Sequence, residues 1–153
     1  MKIELRPIDR TNYNECIALS VAEEQKGFVA SNIYSLVQAA YEPNLYPLAV
    51  YSDSKMVGFF LYDFDEEVGG WSMSRFMIDK SFQGRGIGTK ALAKFLEYFR
   101  SVRPDGKKLY TSAEVENKNA ISMYEKVGFK RGEIFEYEAG GNKYREYRMV
   151  LSL

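Results

Sequence analysis

The segment with the clearest chemical potential is a glycine-rich run, Gln83-Gly84-Arg85-Gly86-Ile87-Gly88, followed by Thr89. It stands between a predicted strand and a predicted amphipathic helix. Glycine lets a backbone turn sharply and approach a ligand closely. A helix start presents free N–H groups and the positive end of the helix dipole. The run therefore predicts an anion site suited to a phosphate group.

Two common phosphate-binding patterns do not match this run. The P-loop needs a sixth-position glycine followed by lysine, but the sixth residue counted from Gly84 is Thr89. The dinucleotide fingerprint G-x-G-x-x-G is one residue longer than the spacing of Gly84, Gly86 and Gly88. A plain glycine-rich turn that caps the helix stays open as an alternative.

A third pattern, [QR]-x-x-G-x-[GA] after a strand, matches at Gln83, Gly86 and Gly88. It resembles the pyrophosphate loop of the GNAT superfamily of acyl-CoA-dependent N-acyltransferases. Downstream, residues 117–129 (NKNAISMYEKVGF) are similar to the N-x-x-A-x-x-x-Y-x-x-x-G-F signature of the same family. Two motifs in the family's order make coincidence an unlikely explanation. The resemblance covers roughly residues 48–131.

The resemblance implies a binding mode for acetyl-CoA. The backbone of Met77 and Ile78 would bond the pantetheine arm as an added strand does. Asn117 would contact the arm through its side-chain amide, or cap the following helix, or do both. The pyrophosphate would be held by the backbone N–H groups of Gln83, Gly84, Arg85, Gly86, Ile87, Gly88 and Thr89.

Tyr124 occupies the position of the family's tyrosine beside the thioester sulfur, so the resemblance implies that it protonates the leaving thiolate. A phenol of pKa about 10 facing a thiol of pKa about 8.5 makes this transfer uphill by roughly 2 kcal/mol. The alternative for Tyr124 is a buried aromatic that only packs. The amine must also lose a proton before it attacks, at a cost of roughly 4.6 kcal/mol at pH 7 for a pKa near 10.4.

The composition restricts what can take that proton, because the chain has 0 His and 1 Cys. These counts exclude a Ser-His-Asp or Cys-His triad, a His-ligated or four-cysteine zinc site and an internal disulfide. No metal site is predicted. Ser74 aligns near the fourth-strand glutamate that serves as candidate base in animal diamine acetyltransferases. The candidates for the base are therefore Glu24, Glu114 or an ordered water.

The acceptor is predicted from the stretch between Glu23 and Leu36, which resembles that of small bacterial GNAT enzymes that acetylate spermidine, spermine or diamines. A polyamine or diamine is therefore the expected acceptor. An amino acid, an aminoglycoside or a protein or peptide amine is the alternative within the enzyme class. A non-catalytic acetyl-CoA sensor is the alternative from another class. The acidic residues Asp63, Asp65, Glu66 and Glu67 would either attract a polycation or form an exposed loop.

The periodicity predicts the elements that must position these groups. Strands are expected over 2–6, 48–51, 56–62, 71–79, 108–115, 133–138 and 143–151, with Pro43 and Pro47 bounding a loop. Helices are expected after Thr11 or Asn12, over 31–40, over the stretch carrying Ala91 to Phe99, and over 119–127. The fold class is α/β (α+β): one domain, 1–153, with a mixed, mostly antiparallel sheet of six or seven strands and about four helices. The resemblance adds a splay between the central strands.

The charge balance bears on partners and location. Lys+Arg is 21 and Asp+Glu is 21, which argues against a nucleic-acid-binding domain. No apolar run approaches the roughly 20 residues of a membrane span, and the first residues do not form a secretory signal. We therefore expect a cytoplasmic protein without membrane or nucleic-acid partners. The family resemblance suggests a homodimer.

Overall fold

The computed structural model describes residues 1–153 and contains one seven-stranded sheet, four α-helices and two short 3₁₀ helices. The strands are β1 (Ile3–Pro7), β2 (Leu45–Ser52), β3 (Lys55–Asp65), β4 (Gly70–Ile78), β5 (Lys108–Glu114), β6 (Lys130–Ala139) and β7 (Asn142–Ser152). The helices are α1 (Tyr13–Ala18), α2 (Asn32–Tyr41), α3 (Ile87–Val102) and α4 (Lys118–Lys126), with 3₁₀ turns at Glu23–Gln25 and Lys80–Phe82. None of the helices is long and apolar enough to cross a membrane.

The sheet has the order β1-β2-β3-β4-β5-β7-β6, and all neighbouring strands are antiparallel except β4 and β5. These two run parallel and share one residue pair, Ser72 with Tyr110. Both residues lie near the start of their strands, so the strands diverge toward Ile78 and Glu114. The predicted fold class and the central splay are confirmed.

Each face of the sheet carries its own core. On one face α3 and α4 cover a large cluster that includes Phe60, Phe95 and Phe99. On the other face α1 and α2 cover a smaller cluster that includes Cys16 and Phe59. Because β3 is buried on both faces, its residues 56–62 read as an unbroken apolar run rather than an alternating one.

Helix α3 positions the glycine-rich loop. The apolar positions predicted to form its buried face are buried: Ala91, Leu92, Phe95, Leu96 and Phe99. Phe95 stacks on Phe60 with ring centroids 4.6 Å apart, and Phe60 stacks on Phe76 of β4 at 4.1 Å. Aromatic stacking and apolar burial thus fix the helix start against the strand that precedes it.

One local prediction is wrong. Pro47 lies inside β2 opposite Leu61, not in a loop. Strand β1 ends at the pair Pro7–Leu48, so β2 has a neighbour on one side only at Pro47. A proline without an N–H group is tolerated at such an edge position. The helix expected after Thr11 or Asn12 begins at Tyr13, and the Asn12 side chain accepts from the Asp9 N–H at 2.8 Å rather than from a helix N–H.

Candidate active site

The gap between β4 and β5 opens into a cleft that passes between the two strands. Residues 73–78 of β4 form one wall, and Thr111, Ser112 and Ala113 of β5 form the other. We call this space the central cleft. The other residues that line it are Val21, Gln25, Phe28, Val29, Gln83, Gly84, Gly88, Asn117, Asn119, Ala120, Met123 and Tyr124.

The glycine-rich loop at the mouth of the cleft has free donors. None of the backbone N–H groups from Gln83 to Thr89 donates a hydrogen bond within the protein. Gly84 and Gly86 both have φ of +78°, and a Cβ added at either would meet no atom within 4 Å. Gly86 directly precedes α3, so the free N–H groups lie at the positive end of that helix. The loop therefore fits a pyrophosphate.

The side chain of Gln83 braces this loop. Its Nε2 donates to the Ile78 carbonyl at 2.9 Å and to Gln25 Oε1 at 2.8 Å. The loop is thereby tied to the end of β4 and to the first 3₁₀ turn. Of the other loop residues, Ile87 is buried in the core, whereas Arg85 and Thr89 are exposed.

The end of β4 offers backbone groups to the cleft. Met77 and Ile78 pair with Phe59 and Gly58 of β3 on one side, while β5 has diverged from them on the other. The groups on that second edge are available to a ligand that lies along the strand. Both residues line the central cleft.

Tyr124 lies on α4, is 6 % exposed and lines the central cleft. Its ring packs against Phe129 with centroids 5.6 Å apart. Burial raises its pKa above the ordinary value; the Thr111 hydroxyl acts in the opposite direction, and the charge of Glu146 raises it further. The phenol therefore stays protonated across the neutral range, as a proton donor must.

Asn117 caps α4 and also borders the central cleft. Its side-chain oxygen accepts from the Ala120 N–H at 3.3 Å, which makes it the N-cap of α4. The residue also lines the central cleft. Its amide nitrogen donates no hydrogen bond within the protein and is free to contact a ligand.

The carboxylates predicted as bases do not line the cleft. Glu24 is exposed on the first 3₁₀ turn. Glu114 is half-buried at the end of β5 opposite Glu146, and burial, followed by the charge of Glu146, raises its pKa. Ser74 lines the cleft and donates to Asp63 Oδ1 at 2.9 Å.

A second space, which we call the lateral hollow, adjoins the central cleft. Six residues line both spaces: Phe28, Val29, Ser74, Arg75, Thr111 and Ser112. The rest of its wall comes from the segment between α1 and α2, from α2, from the β3–β4 turn and the start of β4, and from the β6–β7 hairpin. Its carboxylates are Asp65, Glu67 and Glu146, its cations are Lys26, Arg75 and Arg148, and its further aromatic rings are Tyr34, Phe135, Tyr137 and Tyr144.

A group that sequence reasoning missed lines the lateral hollow next to Ser112, which borders both spaces. Glu146 of β7 is 9 % exposed and accepts from Ser112 Oγ at 2.7 Å and from the Tyr137 hydroxyl. Part of the signal was present, because the turn Gly140-Gly141 fixes the hairpin register and sets Glu146 opposite Phe135. The pairing of β7 with β5 is long-range and has no such local signal.

Known proteins resemble this chain in sequence and in fold. Residues 5–129 match the model of the acetyltransferase (GNAT) family. The chain is 28% identical over 136 residues to a spermine/spermidine N(1)-acetyltransferase of Bacillus subtilis, covering 85% of this chain and 89% of that one. A shorter match, 35% over 54 residues, is to the N-alpha-acetyltransferase RimI of Mycobacterium tuberculosis, covering 35% of this chain and 31% of that one.

A crystal structure of similar fold is that of a spermidine N-acetyltransferase from Vibrio cholerae in complex with CoA and spermine. The two chains superpose with a TM-score of 0.77 at 17% identity, over 98% of this chain and 95% of that chain. The sheet and helices described above are therefore those of a known N-acetyltransferase fold.

Proposed function

This chain belongs to the GNAT family of acetyltransferases and is an N-acetyltransferase, and we propose that it moves an acetyl group from acetyl-CoA directly to a primary amine of a polyamine or diamine. The finer parts of this proposal are the acceptor and the residue roles. The observation that supports it is the gap between β4 and β5. The loop with free N–H groups and Tyr124 lie along the central cleft in this gap, and the lateral hollow adjoins the cleft.

The central cleft would take acetyl-CoA. The free N–H groups between Gln83 and Thr89 would bind the pyrophosphate. The open edge of β4 at Met77 and Ile78, with the amide of Asn117, would bond the pantetheine arm. This arrangement would direct the thioester toward Tyr124, where α4 and β5 close the cleft.

The amine would enter from the lateral hollow and attack the thioester in the gap. No protein nucleophile is needed, because the amine itself forms the new bond. Tyr124 donates its hydroxyl proton as charge develops on the departing sulfur, which makes a thiol the leaving group. Thr111 lines both spaces, and its hydroxyl donates to the Met73 carbonyl at 2.7 Å.

A polycationic acceptor suits the charges and rings of the lateral hollow. Arg148 is neutralised by Glu133 at 3.0 Å and lies 4.0 Å from Glu67. Asp65 forms no ion pair, and Glu146 contacts hydroxyl groups only. Stacked Tyr137 and Tyr144, with centroids 5.1 Å apart, offer faces to an ammonium group. The spermine and spermidine activities named for the relatives support the same acceptor class.

Steady-state kinetics with a panel of amines tests the acceptor. We expect kcat/KM for spermidine, spermine or a linear diamine to exceed that for amino acids, an aminoglycoside and an alanine-ended peptide. The release of free CoA thiol is the readout. Turnover of the peptide without turnover of any polyamine would overturn the polyamine assignment and leave the N-acetyltransferase.

One observation favours a second acceptor class, an amino acid or a peptide. Arg75 lines both spaces and has no carboxylate partner. Its guanidinium donates to Ser35 and to Gln38 Oε1, at 3.2 and 2.6 Å, and lies over the Tyr34 ring. A substrate carboxylate could displace these neutral partners. The amine panel separates this acceptor class from polyamines.

Three predictions from the sequence stay proposals. We propose that residues 1–153 form one acetyltransferase domain, that the protein is cytoplasmic and that it forms a homodimer. The exposed edge of β6 would be available for pairing with a second copy. Gel filtration with light scattering tests the dimer.

A further inference from the structure

We infer that Glu146 is the group that takes the proton from the acceptor amine, with Ser112 and Tyr137 as the residues that position it. This inference rests on the proposed acetylation of an amine. It assigns a role to a residue of β7 that lies in neither of the two sequence motifs.

Two serines flank the gap in the sheet, and each donates to a carboxylate on the neighbouring outer strand. Ser74 of β4 donates to Asp63 of β3 at 2.9 Å, and Ser112 of β5 donates to Glu146 of β7 at 2.7 Å. Both serines line the central cleft and the lateral hollow. An amine that passes from the hollow to the cleft must therefore pass both hydroxyl groups.

Only one of these two carboxylates lines the hollow. Glu146 belongs to its wall, whereas Asp63 does not. Glu146 is also close enough to Tyr124 for its charge to raise the pKa of that phenol. The proposed acid thus lines the central cleft, and the proposed base lines the lateral hollow that adjoins it.

The hydrogen-bond partners of Glu146 do not neutralise its negative charge, so that charge can act on the acceptor amine. A hydroxyl group fixes each of its oxygens, since Ser112 donates to Oε1 and Tyr137 to Oε2. No lysine or arginine forms an ion pair with it. A buried carboxylate that is oriented but not neutralised is suited to attract an ammonium group and accept its proton.

The proton and bond changes balance. The ammonium group gives one proton to Glu146, directly or through the Ser112 hydroxyl. The lone pair that is freed forms the C–N bond to the thioester carbonyl carbon as the C–S bond breaks. The sulfur takes the Tyr124 proton, the second proton of the nitrogen returns to the Tyr124 oxygen, and Glu146 releases its proton to water.

Several charged or titratable groups face Glu146 and bear on any pH profile. They are Glu114 of β5, Tyr137 of β6, Tyr144 and Arg148 of β7, Tyr124 of α4, and, across the lateral hollow, Lys26, Asp65, Glu67 and Arg75. Glu114 is the nearest rival, because it stands directly opposite Glu146 in the β5–β7 register.

The test compares two acceptors of similar length at pH 7: an alkyl diamine, and a fluorinated analogue whose lower pKa keeps the amine neutral. We expect Glu146→Gln to lower kcat/KM for the alkyl diamine about 100-fold. With the fluorinated amine, the loss in kcat/KM should be only about tenfold, because that amine is already neutral and has no ammonium proton to give up before it attacks. A merely structural role would give the same loss with both amines and would overturn the inference.

The control is Glu136→Gln, which changes a carboxylate of the same hairpin that is exposed and lines neither space. It should keep kcat/KM within about twofold of wild type. Glu114→Gln and Glu24→Gln test the rivals, and a larger, amine-dependent loss in either one would overturn the role of Glu146.

Thermal midpoints show whether each variant folds. If Glu146→Gln does not fold, Ser112→Ala removes only the hydroxyl and should give a smaller loss with the same dependence on amine pKa. The two proposals fail differently: a wild-type protein that acetylates no amine overturns both, whereas an active wild type with an equally active Glu146→Gln overturns the inference alone.

Discussion

At the scale of single residues, the proposed proton transfers use a buried tyrosine and a buried carboxylate held by hydroxyl groups, because the chain has no histidine. With 0 His in the chain, the proposed proton donor is the phenol of Tyr124, whose pKa burial has raised. A raised pKa means that Tyr124 keeps its proton to higher pH than a free tyrosine does. We therefore expect no loss of kcat from Tyr124 ionisation as pH rises to about 10, its ordinary pKa.

The direct test of Tyr124 is Tyr124→Phe, which removes the hydroxyl and keeps the ring that packs on Phe129. We expect kcat to fall about 10²- to 10⁴-fold, the range for loss of a general acid, while the Kd for CoA changes little. Rapid-mixing kinetics and calorimetry measure the two quantities. An unchanged kcat would remove Tyr124 as the acid.

Residues within one motif were predictable, and residues joined by long-range pairing were not. The roles proposed for Tyr124, Asn117 and the loop from Gln83 to Gly88 come from the family resemblance, whose two motifs each lie within one short stretch of chain. Glu146 reaches the site through the pairing of β7 with β5, across more than 30 residues of chain. Nothing in the residues around Glu146 encodes that register.

At the scale of elements, the loop before α3 needs glycine for its backbone conformation. Gly86→Val would force a β-branched residue to φ near +78°, at a cost of about 1–2 kcal/mol, and would fill the space next to the free N–H groups. We expect the Kd for CoA to rise at least about tenfold. Calorimetry provides the measurement.

The matched control is Gly69→Val, in the turn between β3 and β4. Gly69 has φ of +65° and nothing within 4 Å of a built Cβ, as at Gly86, but it lies in a turn remote in sequence from the loop that precedes α3. It should lower the thermal midpoint to a similar degree and leave the Kd for CoA unchanged. Equal Kd values in the two variants would refute the role of the loop.

The contact between β3 and β4 gives a second prediction at this scale. A Cβ at Gly58 would lie 2.6 Å from the Met77 carbonyl oxygen and 2.7 Å from Ile78 Cδ1. Gly58→Ala must therefore push the end of β4 outward, costing about 1–3 kcal/mol. We expect a lower thermal midpoint and a higher KM for acetyl-CoA.

Gly27→Ala serves as the stability control for that variant, because a Cβ at Gly27 meets nothing within 4 Å. Its thermal midpoint should match that of the wild type. A Gly58→Ala protein with wild-type stability and KM would show that β4 does not need this close approach.

The elements themselves were predictable to different degrees. The apolar period of α3 and the Gly140-Gly141 turn are local signals, and both elements form as predicted. The extensions of β2, β3 and β6 beyond their predicted ends arise from pairing with neighbours, which supplies hydrogen bonds to residues of weak strand propensity. Pro47 is one such residue. It pairs with Leu61 of β3 on one side, and β1 ends before it on the other side, so no neighbouring strand requires the N–H group that proline lacks.

At the scale of the whole molecule, the sheet would separate the two substrates of the proposed reaction. The larger core lies under α3 and α4, next to the glycine-rich loop proposed to bind acetyl-CoA, and the smaller core lies under α1 and α2. Under the proposed function, each substrate would reach the gap from its own face. The splay that joins the faces was predicted from family resemblance, because no local pattern in β4 or β5 encodes their divergence.

Ligand binding should stabilise the whole fold, because the cleft exists only in the folded chain. At a CoA concentration of about 100 times Kd, linkage adds about 2.7 kcal/mol to the free energy of unfolding. For a domain of this size we expect the thermal midpoint to rise by about 5–10 °C. Differential scanning calorimetry measures the shift, and the same shift in Gly86→Val would contradict the assigned cleft.

The most direct test of the central claim is a competition assay read by mass spectrometry. The protein is given acetyl-CoA with equal concentrations of spermidine and an alanine-ended peptide, and the products are weighed. Our account predicts monoacetylated spermidine and free CoA in equal amounts, with far less product from Tyr124→Phe. Bound CoA without any acetylated amine, or acetylated peptide alone, would contradict it.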